Sequence, residues 1–303
     1  MKNHKLKGGI LITLGAGCYG MLGTYVKMAY QAGFNTAEVT IAQFSLGVAG
    51  LFILTLLRRP QTSRTASVAT STIRLMLAGT SLGLTSIFYY LSVKHIAVSV
   101  AIVLLTQSVW MGVVMESILQ KKVPGIGKIV SVIIIMIGTL LATNLLTHSI
   151  SLNWKGVLFG ILGALCYTAT MFSTNNLEIH YPPLKRSLFM VVGGLIVILF
   201  VFHKSLNPEF SGSIFFSWGL VIALFGTILP PLLFTRGMPL TGMGLGAILA
   251  SIEIPIAVIM AAVLLGEQVV VSQWIGVTLI LVAVIIMNIP NKTIKSKVYD
   301  NKN

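Results

Sequence analysis

Apolar residues run along this chain in long stretches, each closed by a short polar or charged interval. None of the stretches alternates polar and apolar positions with the period of two that a membrane β-barrel needs. A helix needs about 20 mostly apolar residues to cross the hydrocarbon core of a bilayer. Ten stretches approach that length: 8–29, 36–57, 74–93, 96–119 and 127–146, then 154–174, 184–202, 214–236, 241–265 and 272–290. The intervals between them are mostly short, which predicts antiparallel neighbours. The expected fold is an all-α integral membrane protein of ten transmembrane helices. Lys2, Lys5 and Lys7 give the first stretch the look of a secretory leader. It is longer than a leader's apolar region and no small-residue cleavage site follows it, so it reads as a helix of the mature chain.

Composition narrows the class. Of the 303 residues 55% are apolar and 9% charged, against roughly 25% charged in soluble domains. That excludes an ordinary water-facing surface, and the high hydropathy excludes disorder. The net charge of +14 would suit a nucleic-acid partner, but its placement argues otherwise. With a cytoplasmic N-terminus, 17 of the 21 Lys and Arg fall on the cytoplasmic side, and only Lys27, Lys94, Lys155 and Lys204 on the other. This is the asymmetry that orients membrane proteins. It predicts a multi-pass protein of the cell (inner or plasma) membrane, with both termini cytoplasmic and no nucleic acid bound. Cys18 and Cys166 lie inside apolar runs, which argues against a disulfide framework. The histidines (His4, His95, His148, His180 and His203) are scattered without metal-ligand spacing. No metal and no cofactor is expected.

The chain also repeats itself. Leu14-Gly-Ala-Gly-Cys-Tyr-Gly20 matches Leu162-Gly-Ala-Leu-Cys-Tyr-Thr168 at an offset of 148, and Ala101–Gln120 parallels Ala247–Gly266 in hydropathy at an offset of 146. Each half then holds five helices, and an odd number makes the second copy enter the membrane from the opposite side. Inverted repeats recur in secondary transporters, whose substrate sites lie near the midplane between the halves. The expected units are 8–146, 154–290 and a basic cytoplasmic tail, 291–303.

The opening Leu-Gly-Ala-x-Cys-Tyr of each half carries a family resemblance. So do Ile252-Glu253-Ile254-Pro255 and Val263-Leu264-Leu265-Gly266-Glu267. Over 8–290 the chain resembles the drug/metabolite transporter superfamily, specifically its EamA family. The first half departs from the pattern: Gln107 and Val109 stand where the acidic residue and proline would be, and Gln120-Lys121 replaces Gly-Glu. The resemblance implies export or uptake of metabolites, amino acids or drugs by alternating access.

Glu253 is the sharpest candidate residue, with twelve residues of its segment on either side. A charge at a helix centre costs roughly 2.5–3.5 kcal/mol on insertion scales. It either binds an amine or a coupling proton in a polar cavity, or it hydrogen-bonds a neighbouring helix. Gln107 is its repeat equivalent, a second substrate contact or an interhelical hydrogen bond. Trp110 follows Gln107 by one helical step. With Tyr19 and Tyr167, themselves repeat equivalents, it would supply aromatic walls for an organic cation. Tyr25, Tyr89 and Tyr90 read as interfacial belt residues. Pro230-Pro231, Pro239 and Pro255 predict kinks or breaks. Glycine pairs four residues apart (Gly79 and Gly83, Gly156 and Gly160, Gly242 and Gly246) predict close helix packing. Gly15-x-Gly17-x-x-Gly20 mimics a dinucleotide fingerprint, but the apolar run around it leaves no βαβ unit to hold one. Asn291-Lys-Thr293 is a glycosylation pattern on the wrong side of the membrane to be used.

The chain has no Gly-x4-Gly-Lys-Ser/Thr phosphate loop, so a transporter here would run on gradients. The expected function is a secondary transporter, an exporter of small organic metabolites such as amino acids or drugs, with the lipid bilayer and a small-molecule substrate as its partners. The alternatives are a non-transporting receptor or assembly protein, which would want a larger loop than 58–73, and a membrane-embedded enzyme. The second would need clustered acids and histidines, and the seven acidic residues are spread out. No catalytic residue is therefore assigned.

Overall fold

The computed structural model describes residues 2–57, 68–96, 98–144, 153–266 and 268–288. Arg58, Arg59, Arg64, His148, Glu267, the tail 291–303 and its Asn291–Thr293 pattern lie outside the described residues. Helices α1 (Lys2–Gln31), α2 (Thr36–Leu57) and α3 (Val68–His95) are followed by α4 (Val98–Thr106), α5 (Ser108–Gln120) and α6 (Ile126–Ala142). Then come α7 (Trp154–Asn176), α8 (Pro183–Val201), α9 (Trp218–Ala223) and α10 (Leu229–Thr241). The last are α11 (Met243–Ala250), α12 (Glu253–Leu265) and α13 (Val271–Asn288). Among the described residues eight helical rods are long and apolar enough to cross a membrane, with α4–α5, α9–α10 and α11–α12 each forming one rod. The helices α6 and α13 are apolar but shorter and pack together, Gly138 against Gly276.

Two of the apolar segments that read as continuous are broken near their middles. In α11–α12 the cause is Pro255, which has no N–H to give the Ser251 carbonyl. Ile254 N–H takes that carbonyl instead (3.1 Å), a three-residue step, and the N–H groups of Ser251 and Ile252 make the same short step to Ile248 and Leu249. In α4–α5 the cause is a side chain. The Gln107 N–H bonds Leu104 O (3.1 Å), and the side-chain Nε2 of the same residue donates to Val103 O (3.0 Å). The amide thus stands in for the backbone donor that the helix has lost.

The prolines of the α9–α10 rod produce something other than a break. Leu224–Ile228 widens into a π turn ahead of Pro230 and Pro231, which keeps the rod continuous. Pro239 lies inside α10 and deprives the Thr235 carbonyl of its donor. Arg186 of α8 supplies one, Nη1 to Thr235 O at 2.8 Å, while Nη2 donates to Thr174 O near the end of α7 at 2.6 Å. A guanidinium only 1% exposed therefore repairs one proline gap and one helix terminus together.

Small residues set the closest crossings, as the glycine spacing predicts. Gly79 and Gly83 of α3 lie on the backbone of Met190 and Gly194 in α8, and Gly156 and Gly160 of α7 on Ile96 and Leu104. Gly246 meets the Met238 sulfur. Gly242 has a conformational role instead: its φ of +87° turns the chain from α10 into α11.

Candidate functional site

A cavity of about 540 Å³ lies between the two broken rods and is walled also by α1, α2, α3 and α7. Its lining runs from mid-depth, at Tyr19, Gln43 and Glu253, to the C-terminal ends of α1 and α12. It opens at that end, where Lys27 and Gln268 are exposed.

Glu253 is the first residue of α12, where the break has just reset the helix, and it lines the cavity. Its carboxylate has no hydrogen-bond or ion-pair partner among the described residues. Gly20 of α1 lies directly on the Glu253 carbonyl and on Ile256, and Gly17 also abuts Ile256. The glycines that mimic a nucleotide fingerprint are thus what lets α1 lie against the break.

Tyr19 and Tyr167 also line the cavity and meet edge to face, ring centroids 6.4 Å apart, with Phe234 at 5.7 Å from Tyr19. The Tyr167 hydroxyl is buried without a partner among the described residues. Tyr89 and Tyr90, read from the sequence as belt residues, line the cavity too. Tyr30 adds a fifth hydroxyl. Tyr25 lies outside, stacked on Phe225 at 5.5 Å.

Gln107 and Trp110 are placed elsewhere. Gln107 Oε1 accepts from Trp110 Nε1 (2.8 Å), and its Nε2 is committed to Val103 O. Trp110 is 41% exposed. Neither lines the cavity with Glu253; the pair is a self-contained clasp on the outer face of the helix break. Sequence reasoning missed Gln43 of α2. It lines the cavity beside Gly226 of the π turn, is 3% exposed, and its Oε1 has no partner among the described residues. The signal was present, since a polar amide inside an apolar membrane segment is the same anomaly that singles out Glu253.

On the opposite side of the cavity the two broken rods meet, among the described residues. There α5 packs along α11: Gly112 faces Ala247, and Val109, Val113 and Ile248 form a buried cluster with Ile135 and Ala283. Among the described residues no group of three or more His, Cys, Asp or Glu could hold a metal. The arrangement can hold a small organic molecule against aromatic walls, with one carboxylate to meet a positive group.

Long apolar helical rods around a mid-depth cavity, mostly apolar but holding one carboxylate, define a multi-pass membrane protein. The profile of the EamA-like transporter family matches residues 6–144 and 154–289, and the chain belongs to that family. It is similar to the protein described as "Uncharacterized inner membrane transporter YicL" of Salmonella typhimurium, with 27% identity over 180 residues. That match takes in 57% of this chain and 58% of the relative, so it spans less than two thirds of the relative's length. A solved protein crystal structure superposes with a TM-score of 0.77 over 92% of this chain and 96% of its own, at 11% identity. That likeness bears on the fold alone.

Proposed function

We propose that the protein is a secondary transporter that moves a small organic solute, in the export direction, by gradient-driven alternating access. The observation that carries the reading is Glu253: a carboxylate without a partner among the described residues, at a helix break, in a cavity walled by five tyrosines. The volume of about 540 Å³ falls in the range of small-molecule sites. An amine or other organic cation fits that chemistry through charge pairing with Glu253 and cation–π contact with the tyrosines. A proton on Glu253 would supply the coupling.

In this reading α6 and α13 also cross, giving ten helices in two inverted halves, 8–146 and 154–290, with both termini cytoplasmic. A helix of 17 residues is at the lower limit of what spans a bilayer. The breaks at Gln107 and at Ser251–Ile252 support the repeat, since the offset of 146 carries Gln107 onto Glu253. Discontinuous helices at mid-depth are where transporters of this architecture hold substrate.

The test is a thermal-shift screen of the purified protein against amino acids and organic amines, followed by flux of each hit in proteoliposomes. Saturable, gradient-dependent movement of a stabilising compound supports the proposal. Stabilising ligands that the protein never moves would favour a receptor.

A further inference from the structure

The two broken rods are arranged unequally on the two sides of the cavity. Toward the ends of α1 and α12, their outer halves α4 and α12 face the cavity through Ile102, Leu105, Ala257 and Val258. On the other side their inner halves α5 and α11 form its floor at Ser108, Val109, Ala247 and Ala250, and beyond it they pack together through Gly112, Val113 and Ile248. Glu116 sits at the tip of that closed side. It is a buried acid of α5, and its carboxylate pairs with Lys128 Nζ of α6. The same carboxylate lies against Gly242 and Gly244, the residues that open α11. Any Cβ at Gly244 would collide with it, and the first turn of a helix favours negative charge. One ion pair therefore ties α5, α6 and the start of α11 at the point where the rods must part if the closed side is ever to open.

Between this pair and the cavity, α11 is a rod of eight residues, about 12 Å long. One end turns at Gly242, with its φ of +87°, and the other ends in the short-step turn at Ser251–Ile252, next to Glu253. A short rod bounded by two turns can carry a shift at one end to the other.

We infer that Glu116 and Lys128 form the latch of the closed gate, and that α11 couples this latch to the Glu253 site. The inference rests on the transporter reading for its purpose, but its test needs no substrate. Val113 belongs to the buried cluster between latch and cavity, and its replacement by the smaller cysteine reports opening. The full-length protein carries Val113→Cys with Cys18→Ala and Cys166→Ala, in vesicles of known orientation. It is treated with a membrane-impermeant maleimide from the face that bears Lys128. With the latch intact, labelling is slow. Glu116→Gln raises the rate about tenfold, the scale of a typical coupling between sites. Labelling of folded Glu116→Gln at the parent rate overturns the latch. If that variant does not insert, Lys128→Gln, which leaves the carboxylate in its glycine seat, gives the same reading, and an unchanged rate there overturns it equally. Faster labelling in a protein that moves no solute would leave the latch standing and remove the transporter reading.

Discussion

Single side chains do two kinds of work in this molecule. Arg186 is structural, as its guanidinium replaces the donor that Pro239 removes from Thr235 and caps Thr174. Leaving those carbonyls bare should lower stability by about 1–3 kcal/mol, so Arg186→Gln should melt earlier in detergent than the parent. In a Pro239→Ala background, where a backbone N–H returns, the loss should be smaller. A loss of equal size in both backgrounds would contradict the repair. Gln43 belongs to the cavity, with an amide oxygen that has no partner among the described residues. Gln43→Leu removes a buried polar group with nothing to bond, so it should leave the melting temperature close to the parent's while altering which compounds stabilise the protein. Glu253 could be found by reading the sequence because a carboxylate in a long apolar run is anomalous by itself. Gln107 was anomalous for the same reason, but its amide is spent on Val103 and Trp110. Polarity at mid-depth marks a residue with something to satisfy, and whether the partner is a ligand or its own helix is decided by a turn that hydropathy does not encode.

Elements were legible as apolar runs, and their ends were not. The segment 127–146 shortens to Ile126–Ala142, 214–236 shifts to end at Thr241, and two long runs divide in the middle. Pro255 announces one division, but the Gln107 division has no proline or glycine at it. The effect of Pro230-Pro231 was also hidden, because a π turn absorbs the missing donors where a kink was expected. The break at Ser251–Ile252 makes a prediction at this scale. Pro255→Ala restores the missing N–H and should join α11 to α12. Stability should hold or rise, and turnover in proteoliposomes should fall several-fold, since the rod could no longer flex beside Glu253. Gly20 sets the complementary limit, because it allows α1 to touch the break. Gly20→Ala inserts a methyl into the Glu253 carbonyl and should destabilise by about 1–3 kcal/mol, read as a drop in melting temperature.

At the scale of the whole molecule, membrane class and helical architecture follow from composition and run length, because lipid permits few alternatives for a buried backbone. The cavity did not follow. It is shaped by the divergence of α4 from α12 and the closure of α5 on α11, a three-dimensional asymmetry between two halves whose sequences look alike. Five tyrosines gather there from three helices, Tyr19 and Tyr30 from α1, Tyr89 and Tyr90 from α3, and Tyr167 from α7, and only the Tyr19–Tyr167 pair was marked by the repeat. The cavity opens toward the C-terminal ends of α1 and α12, where Lys27 and Gln268 are exposed, and in the proposed alternating cycle this would be one of two states. The account stands or falls on the use of Glu253 in that cycle. The direct measurement is flux of a stabilising organic amine in proteoliposomes, with and without a proton gradient, for the parent and for Glu253→Gln. The account predicts that the variant inserts and melts like the parent but loses gradient-driven flux. Undiminished, gradient-dependent flux through Glu253→Gln would contradict it.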